Sequence, residues 1–114
     1  MRLPRSFTPF RTELRDPAEP LSLLVRFEVR KTDAAKVEAA FGQAISSTLK
    51  ESGCRAFHLN RDARDSSRFV VYEQWHSLAD LEAHLRTDYI SRLRAELDDL
   101  MVGAPQFQVL VPAA

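Results

Sequence analysis

Between Leu21 and Val111 the apolar residues switch between two rhythms, and the order of switching restricts the fold more than any other feature of the chain. In Leu21–Arg30 the odd positions Leu21, Leu23, Val25, Phe27 and Val29 are apolar, while Ser22, Arg26, Glu28 and Arg30 are polar and Leu24 is the exception. Period two with this residue content is a strand with one buried face. Thr32 or Asp33 then caps a helix in which Val37, Ala40, Phe41, Ala44, Ile45, Thr48 and Leu49 recur at three and four residues. Gly53 stands where a left-handed residue is expected to end it. A second strand covers Cys54–Arg61, with Phe57 and Leu59 on one side, and Asp62–Ser67 is a polar turn. In the third strand, Arg68–His76, Phe69, Val71, Glu73 and Trp75 share one face, and Val70, Tyr72, Gln74 and His76 share the other. Ser77 and Asp80 form a capping box for a short helix with Leu78, Leu81, His84 and Leu85 inward. Thr87 or Asp88 starts another, buried through Tyr89, Ile90, Leu93, Leu97 and Leu100. Gly103 and Pro105 stop it before a last strand marked by Phe107, Val109 and Val111.

The order β-α-β-β-α-α-β is an α+β, ferredoxin-like split βαβ domain. Right-handed crossovers place the helices on one face of a four-stranded antiparallel sheet. The other face, carrying Leu24, Val70, Tyr72 and Leu110, is left uncovered, and an apolar patch of that kind marks an interface. A homodimer packed through the open sheet face, a dimeric α/β barrel, is the expected assembly. Ahead of this domain (21–114), residues 1–20 hold Pro4, Pro9, Pro17 and Pro20. Proline withholds an amide hydrogen from regular ladders, so this stretch reads as an extended arm that offers Phe7, Phe10 and Leu14 for packing.

Composition excludes several classes. Sixteen basic and sixteen acidic side chains cancel, which argues against a nucleic-acid partner, since that requires a net basic face. The Arg-rich segments are interleaved with Glu13, Asp16, Asp62 and Asp65, a solvated, ion-paired surface. No apolar run approaches the ~20 residues of a membrane span, and no apolar stretch follows the basic N-terminus as in a secretory signal. No membrane partner and a cytoplasmic location are therefore expected. Cys54 is the single cysteine, so no internal disulfide is available. Three glycines form no phosphate-cradling loop, and His58, His76 and His84 lack metal-ligand spacing. No cofactor and no metal site are expected.

The chemistry-bearing stretch is Phe69 to His84. Glu73 and Trp75 lie two apart on one strand face, and His84 follows nine residues later on the inner stripe of a helix. With that strand face turned to the helices, a carboxylate, an indole and an imidazole line one cleft. A buried glutamate is driven toward neutrality unless paired. His84 is the expected partner, and such a pair sets the imidazole tautomer for proton transfer. Each residue also has a plainer role: Trp75 as core filling, Glu73 as a partner of Arg55, Arg61 or Arg68, and His84 as a hydrogen-bonded core residue.

These residues resemble a family. Gly53-Cys54 leading into a strand, the polar turn, Phe69-x-x-x-Glu73-x-Trp75 and Leu81-x-x-His84 are similar to the antibiotic biosynthesis monooxygenase domain over roughly Leu21 to Val111. The resemblance implies a dimeric ferredoxin-like α/β fold. Among the family's members are quinol and polyketide-anthrone monooxygenases that use no flavin or metal, haem-degrading enzymes and an isomerase of a signalling sugar phosphate. In the cofactor-free members a phenol or quinol is deprotonated and itself reduces oxygen. Carried over, the resemblance makes His84, Glu73 and Trp75 the catalytic candidates, and Asn60, Phe57 and Tyr89 the substrate-binding ones. Two departures stand out. Some oxygenase members place an asparagine on the strand carrying the tryptophan, where this chain has Val71; its only asparagine is Asn60. The family also often has tyrosine and histidine where this chain has Phe57 and Tyr89.

The expectation is a cofactor-independent monooxygenase of a quinol or polycyclic phenolic small molecule. Its alternative is a non-catalytic or isomerase-type dimer that binds a small aromatic ligand. Haem degradation requires an axial ligand, and none of the three histidines is placed for one.

Overall fold

The computed structural model describes Leu14 and residues 16–114. Strand β1 (Leu21–Glu28) leads through one 3-10 turn to helix α1 (Ala34–Thr48), followed by β2 (Cys54–Arg61) and β3 (Arg68–Trp75). Helices α2 (Leu78–Leu85) and α3 (Asp88–Leu100) come next, then β4 (Gln106–Leu110). The four strands form one antiparallel sheet in the order β2-β3-β1-β4. This is the ferredoxin-like arrangement that the β-α-β-β-α-α-β pattern implies.

Register explains the two faces. Leu23 pairs with Glu73 and Val109, and Val25 with Val71 and Phe107. Directly paired residues share a face, so the inward set of β1 aligns with the inward sets of its neighbours. Leu21, Leu23, Phe69, Trp75, Leu78, Leu81 and Val37 are almost fully buried between sheet and helices. Each such side chain contributes about 1.5–3 kcal/mol relative to exposure. The rings of Phe69, Phe27, Phe41 and Phe57 follow one another across this layer at centroid separations of 5.5 to 6.5 Å.

The outer face differs from the bare patch expected of it. Leu24, Val70 and Tyr72 are half-buried and only Leu110 is exposed. Arg26, Gln74, Gln108 and His58 stand among them in the ladder, and cross-strand neighbours cover part of each apolar side chain. Of the arm expected over residues 1–20, Phe7 and Phe10 lie outside the described residues. Leu14 is buried in the core, and the carbonyl of Pro17 accepts a hydrogen bond from the Leu78 amide at the start of α2.

Gly53 does not adopt the left-handed conformation expected of a helix stop; among the described residues only Gly103 does, at φ 75°. What Gly53 provides is room. A Cβ there would lie 2.3 Å from Cγ of Asp80, so glycine lets the end of the α1–β2 turn pass against α2. The Ser77 cap forms as the sequence suggests, with the Asp80 amide donating to the Ser77 hydroxyl at 3.3 Å.

Candidate active site

Three connections bring the candidate site together. β3 is a central strand, so Glu73, paired with Leu23 on one side and Phe57 on the other, sits in the middle of the covered face. Helix α2 lays His84 over the end of β3, where its ring meets Trp75 at 4.5 Å and Phe57 at 5.5 Å between centroids. The α2–α3 connection pins the backbone of His84: both the amide and the hydroxyl of Thr87 donate to its carbonyl, the hydroxyl at 2.7 Å.

The hydrogen bonds differ from the expected Glu73–His84 pair. Trp75 Nε1 donates to Glu73 Oε1 at 3.0 Å. His84 Nδ1 lies 2.8 Å from Oε2 of Glu51, a residue of the turn after α1. The Tyr89 hydroxyl donates to that same oxygen. The physical reason lies in the elements that carry the residues. Glu73 and Trp75 are two apart on one strand face, within side-chain reach of each other. Glu51 is held over His84 by two turn hydrogen bonds, from its own amide to Thr48 and from the Cys54 amide to its carbonyl.

Burial sets the ionisation. Glu73, 7% exposed, is pushed up to about 7 because its carboxylate is desolvated, only partly offset by the Trp75 hydrogen bond. His84, 2% exposed, is held below its ordinary value, burial outweighing the Glu51 contact that favours its charged form. The Tyr89 hydroxyl is pushed up to about 12 by desolvation and by Glu51, and so keeps its proton. Since that hydroxyl donates to Glu51 Oε2, the oxygen is an acceptor, and neutral His84 meets it as an Nδ1–H donor. The imidazole lone pair is then on Nε2.

A cavity of about 60 Å³ opens between sheet and helices beside this group. Its walls are mainly apolar, among them Leu23, Phe41, Phe57 and Ile90, and Glu73 and His84 supply polar atoms. Half-buried Leu85, Arg94, Met101 and Phe107 stand at its edge. Trp75 is wholly buried behind His84 and does not line the cavity. It acts on the site by a tilted ring contact with His84 and by its hydrogen bond to Glu73, not as the cavity wall expected from the sequence. Tyr89 also stands back, reaching the cavity through Glu51 and His84.

Asn60 is not brought to this site. It faces the opposite side of the sheet, where its side-chain amide donates to the Val70 carbonyl at 3.3 Å. Sequence reasoning missed Glu51 and Arg94. Nothing in the local pattern singles out Glu51, an acidic residue in a helix-ending turn, whereas Arg94 is one residue beyond the inward Leu93. Among the described residues no group of three or more histidine, cysteine or acidic side chains could hold a metal ion. Among them also, no helix is long and apolar enough to cross a membrane.

The family model for antibiotic biosynthesis monooxygenase matches residues 20–96, which contain β1 to β3 and, of the site, Glu51, Phe57, Glu73, Trp75, His84, Tyr89 and Arg94. The chain belongs to the antibiotic biosynthesis monooxygenase family. Solved structures agree on the fold. A Nitrosomonas europaea protein provisionally described as such a monooxygenase superposes with a TM-score of 0.80 at 21% identity, covering 88% of this chain and 96% of its own. A Mycobacterium tuberculosis protein gives 0.78 at 25% identity, covering 84% and 97%. A Pseudomonas aeruginosa protein gives 0.77 at 25%, covering 87% and 99%. No curated protein matches the chain in sequence.

Proposed function

We propose that this protein is a cofactor-independent monooxygenase of a quinol or phenolic small molecule, acting as a cytoplasmic homodimer through the open sheet face. The observation that carries the reading is His84: a buried, neutral imidazole whose Nδ1 is engaged by Glu51 while its ring lines an apolar cavity. A base with a depressed pKa is in its proton-accepting form at neutral pH. Family membership supports the choice of reaction.

In this reading Nε2 of His84 removes the substrate proton, and the resulting anion is electron-rich enough to reduce oxygen. For an anthrone-type methylene the balance is CH2 + O2 → C=O + H2O: the substrate supplies all four electrons, one oxygen atom enters it and the other leaves as water. Glu73, largely protonated below pH about 7, has a carboxyl hydrogen to offer the developing oxyanion. Phe57 is an aromatic wall, and Trp75 positions both His84 and Glu73. The cavity is far smaller than the ~300–1,000 Å³ of typical small-molecule pockets. Entry of a polycyclic phenol therefore requires Leu85, Arg94, Met101 and Phe107 to move outward, whereas a single ring demands less.

Oxygen uptake with a panel of hydroquinones, phenols and anthrones tests the proposal. His84→Ala is expected to lower turnover about 10²–10⁴-fold, the usual range for a general base; undiminished turnover rejects the assignment. Binding of an aromatic ligand with no oxygen consumed selects the ligand-binding alternative. The acid-side fall in rate is expected at a lower pH than for an ordinary histidine, because burial lowers the His84 pKa.

A further inference from the structure

Glu51 lies outside every motif that points to the site, yet it is the group that touches His84 Nδ1. Its position is fixed at three points: two backbone hydrogen bonds in the turn, and the Tyr89 hydroxyl on its carboxylate. It also differs from His84 in access to water. The imidazole side chain is 2% exposed and the Glu51 side chain 19%. A base that is sealed from solvent becomes a buried cation when it takes a proton, and in this structure the group placed to discharge it, through Nδ1, is Glu51.

We propose that Glu51 is a positioning and proton-relay residue of the site: its carboxylate holds His84 as the Nδ1–H tautomer and accepts that proton when Nε2 takes one from a phenolic ligand. The proposal rests on the reading of His84 as the base. Its step is balanced. One N–H bond forms at Nε2 as the ligand O–H breaks, the Nδ1–H bond breaks as Glu51 gains a hydrogen, and the imidazole ends neutral. When Nε2 later gives its proton to the reduced oxygen or back to the ligand, Glu51 returns one to Nδ1, which restores the starting tautomer, and Tyr89, which keeps its own proton, holds the carboxylate in place throughout.

Among the described residues, the ionisable groups facing His84 or sharing its cavity are Glu51 from the turn, Tyr89 and Arg94 from α3 and Glu73 from β3, with Cys54 of β2 near Glu51 and Glu73. Of these, Glu51 raises the His84 pKa, against the lowering by burial. Removing its charge is therefore expected to lower that pKa further and to leave the fold in place, because the turn is held by backbone bonds.

Two readouts need no oxygen. In ring-nitrogen NMR of the ligand-free protein at neutral pH, His84 is expected to carry its proton on Nδ1. Glu51→Ala should convert it to a mixture of tautomers, and Glu51→Gln, whose side-chain carbonyl still accepts from Nδ1, should preserve it. The second is the absorbance of bound para-nitrophenol, at a pH below that phenol's own pKa. The parent is expected to bind it as the yellow phenolate and Glu51→Gln as the colourless phenol, since glutamine holds an acceptor but cannot take the proton. An unchanged Nδ1–H tautomer in Glu51→Ala, or phenolate formation in Glu51→Gln equal to the parent's, overturns the proposal. Absence of oxygen uptake by the parent rejects the monooxygenase reading alone, because both readouts report on Glu51 without it.

Discussion

Glu73 and Gln74 are neighbours on β3, yet the sheet gives them opposite surroundings. Glu73 faces the helices among Leu23, Phe57 and the cavity, where its carboxyl is desolvated and bound by Trp75. Gln74 faces outward, paired with Ser22 and Ala56 and half-exposed. The covered face combines large apolar groups with a few polar ones whose proton affinities are displaced. The outer face mixes polar and apolar side chains whose ladder neighbours partly shield them. Burial, more than residue type, thus makes Glu73 and His84 chemically unusual.

The contrast is sharpest for aromatic truncation. Trp75→Ala is expected to cost about 3–5 kcal/mol, the range for emptying a large buried site, read from urea unfolding. Tyr72→Ala on the outer face of the same strand should cost well under half of that in the isolated subunit. Equal losses would mean that the outer face is packed as tightly as the inner one.

Next in size is a pH effect. For Glu73 the folded value of about 7 lies above the ordinary carboxyl value of 4.5. Below pH 4.5 both states hold the proton and nothing is lost. Between 4.5 and about 7 the unfolded chain ionises first, so stability falls as pH rises, and above about 7 the whole penalty is present. From that difference the penalty is about 3 kcal/mol at 1.36 kcal/mol per unit. Glu73→Gln is thus expected to raise stability at pH 8 and to change it little at pH 4, and an equal effect at both would place Glu73 in water. Gln74→Glu on the outer face should show no such dependence.

Charge on the outer face tests the other half of the comparison. Val70→Asp is expected to shift the assembly from dimer to monomer in light scattering while leaving the subunit's circular dichroism unchanged. A parent that is monomeric at all concentrations would remove the dimer from the proposal. The smallest effect is assigned to Asn60→Ala, within about 0.5 kcal/mol of the parent as for surface positions generally.

How much of this was legible varies with the range of the interaction. Strand parity told which side of β3 Glu73 and Trp75 share, because side chains alternate strictly along a strand. Helical spacing put His84 inward, and Ser77 with Asp80 marked the start of α2. The local pattern suggests a left-handed stop at Gly53, but its constraint comes from Asp80, twenty-seven residues away, and not from its own backbone. For Trp75 the sequence offers both a cleft residue and core filling, and its position behind His84 depends on how α2 lies on the sheet.

The order of elements, the two faces of each strand and the set of groups available for chemistry are written in the chain, since periodicity and capping are local. Which groups meet depends on the packing of distant elements. Glu51 and His84 are thirty-three residues apart, and Glu51 and Tyr89 thirty-eight. The pairing follows from α1 ending over β2 while α2 and α3 turn back across the same sheet face. Burial then fixes the proton affinities, and burial is a property of the packed layers that no window of the sequence contains.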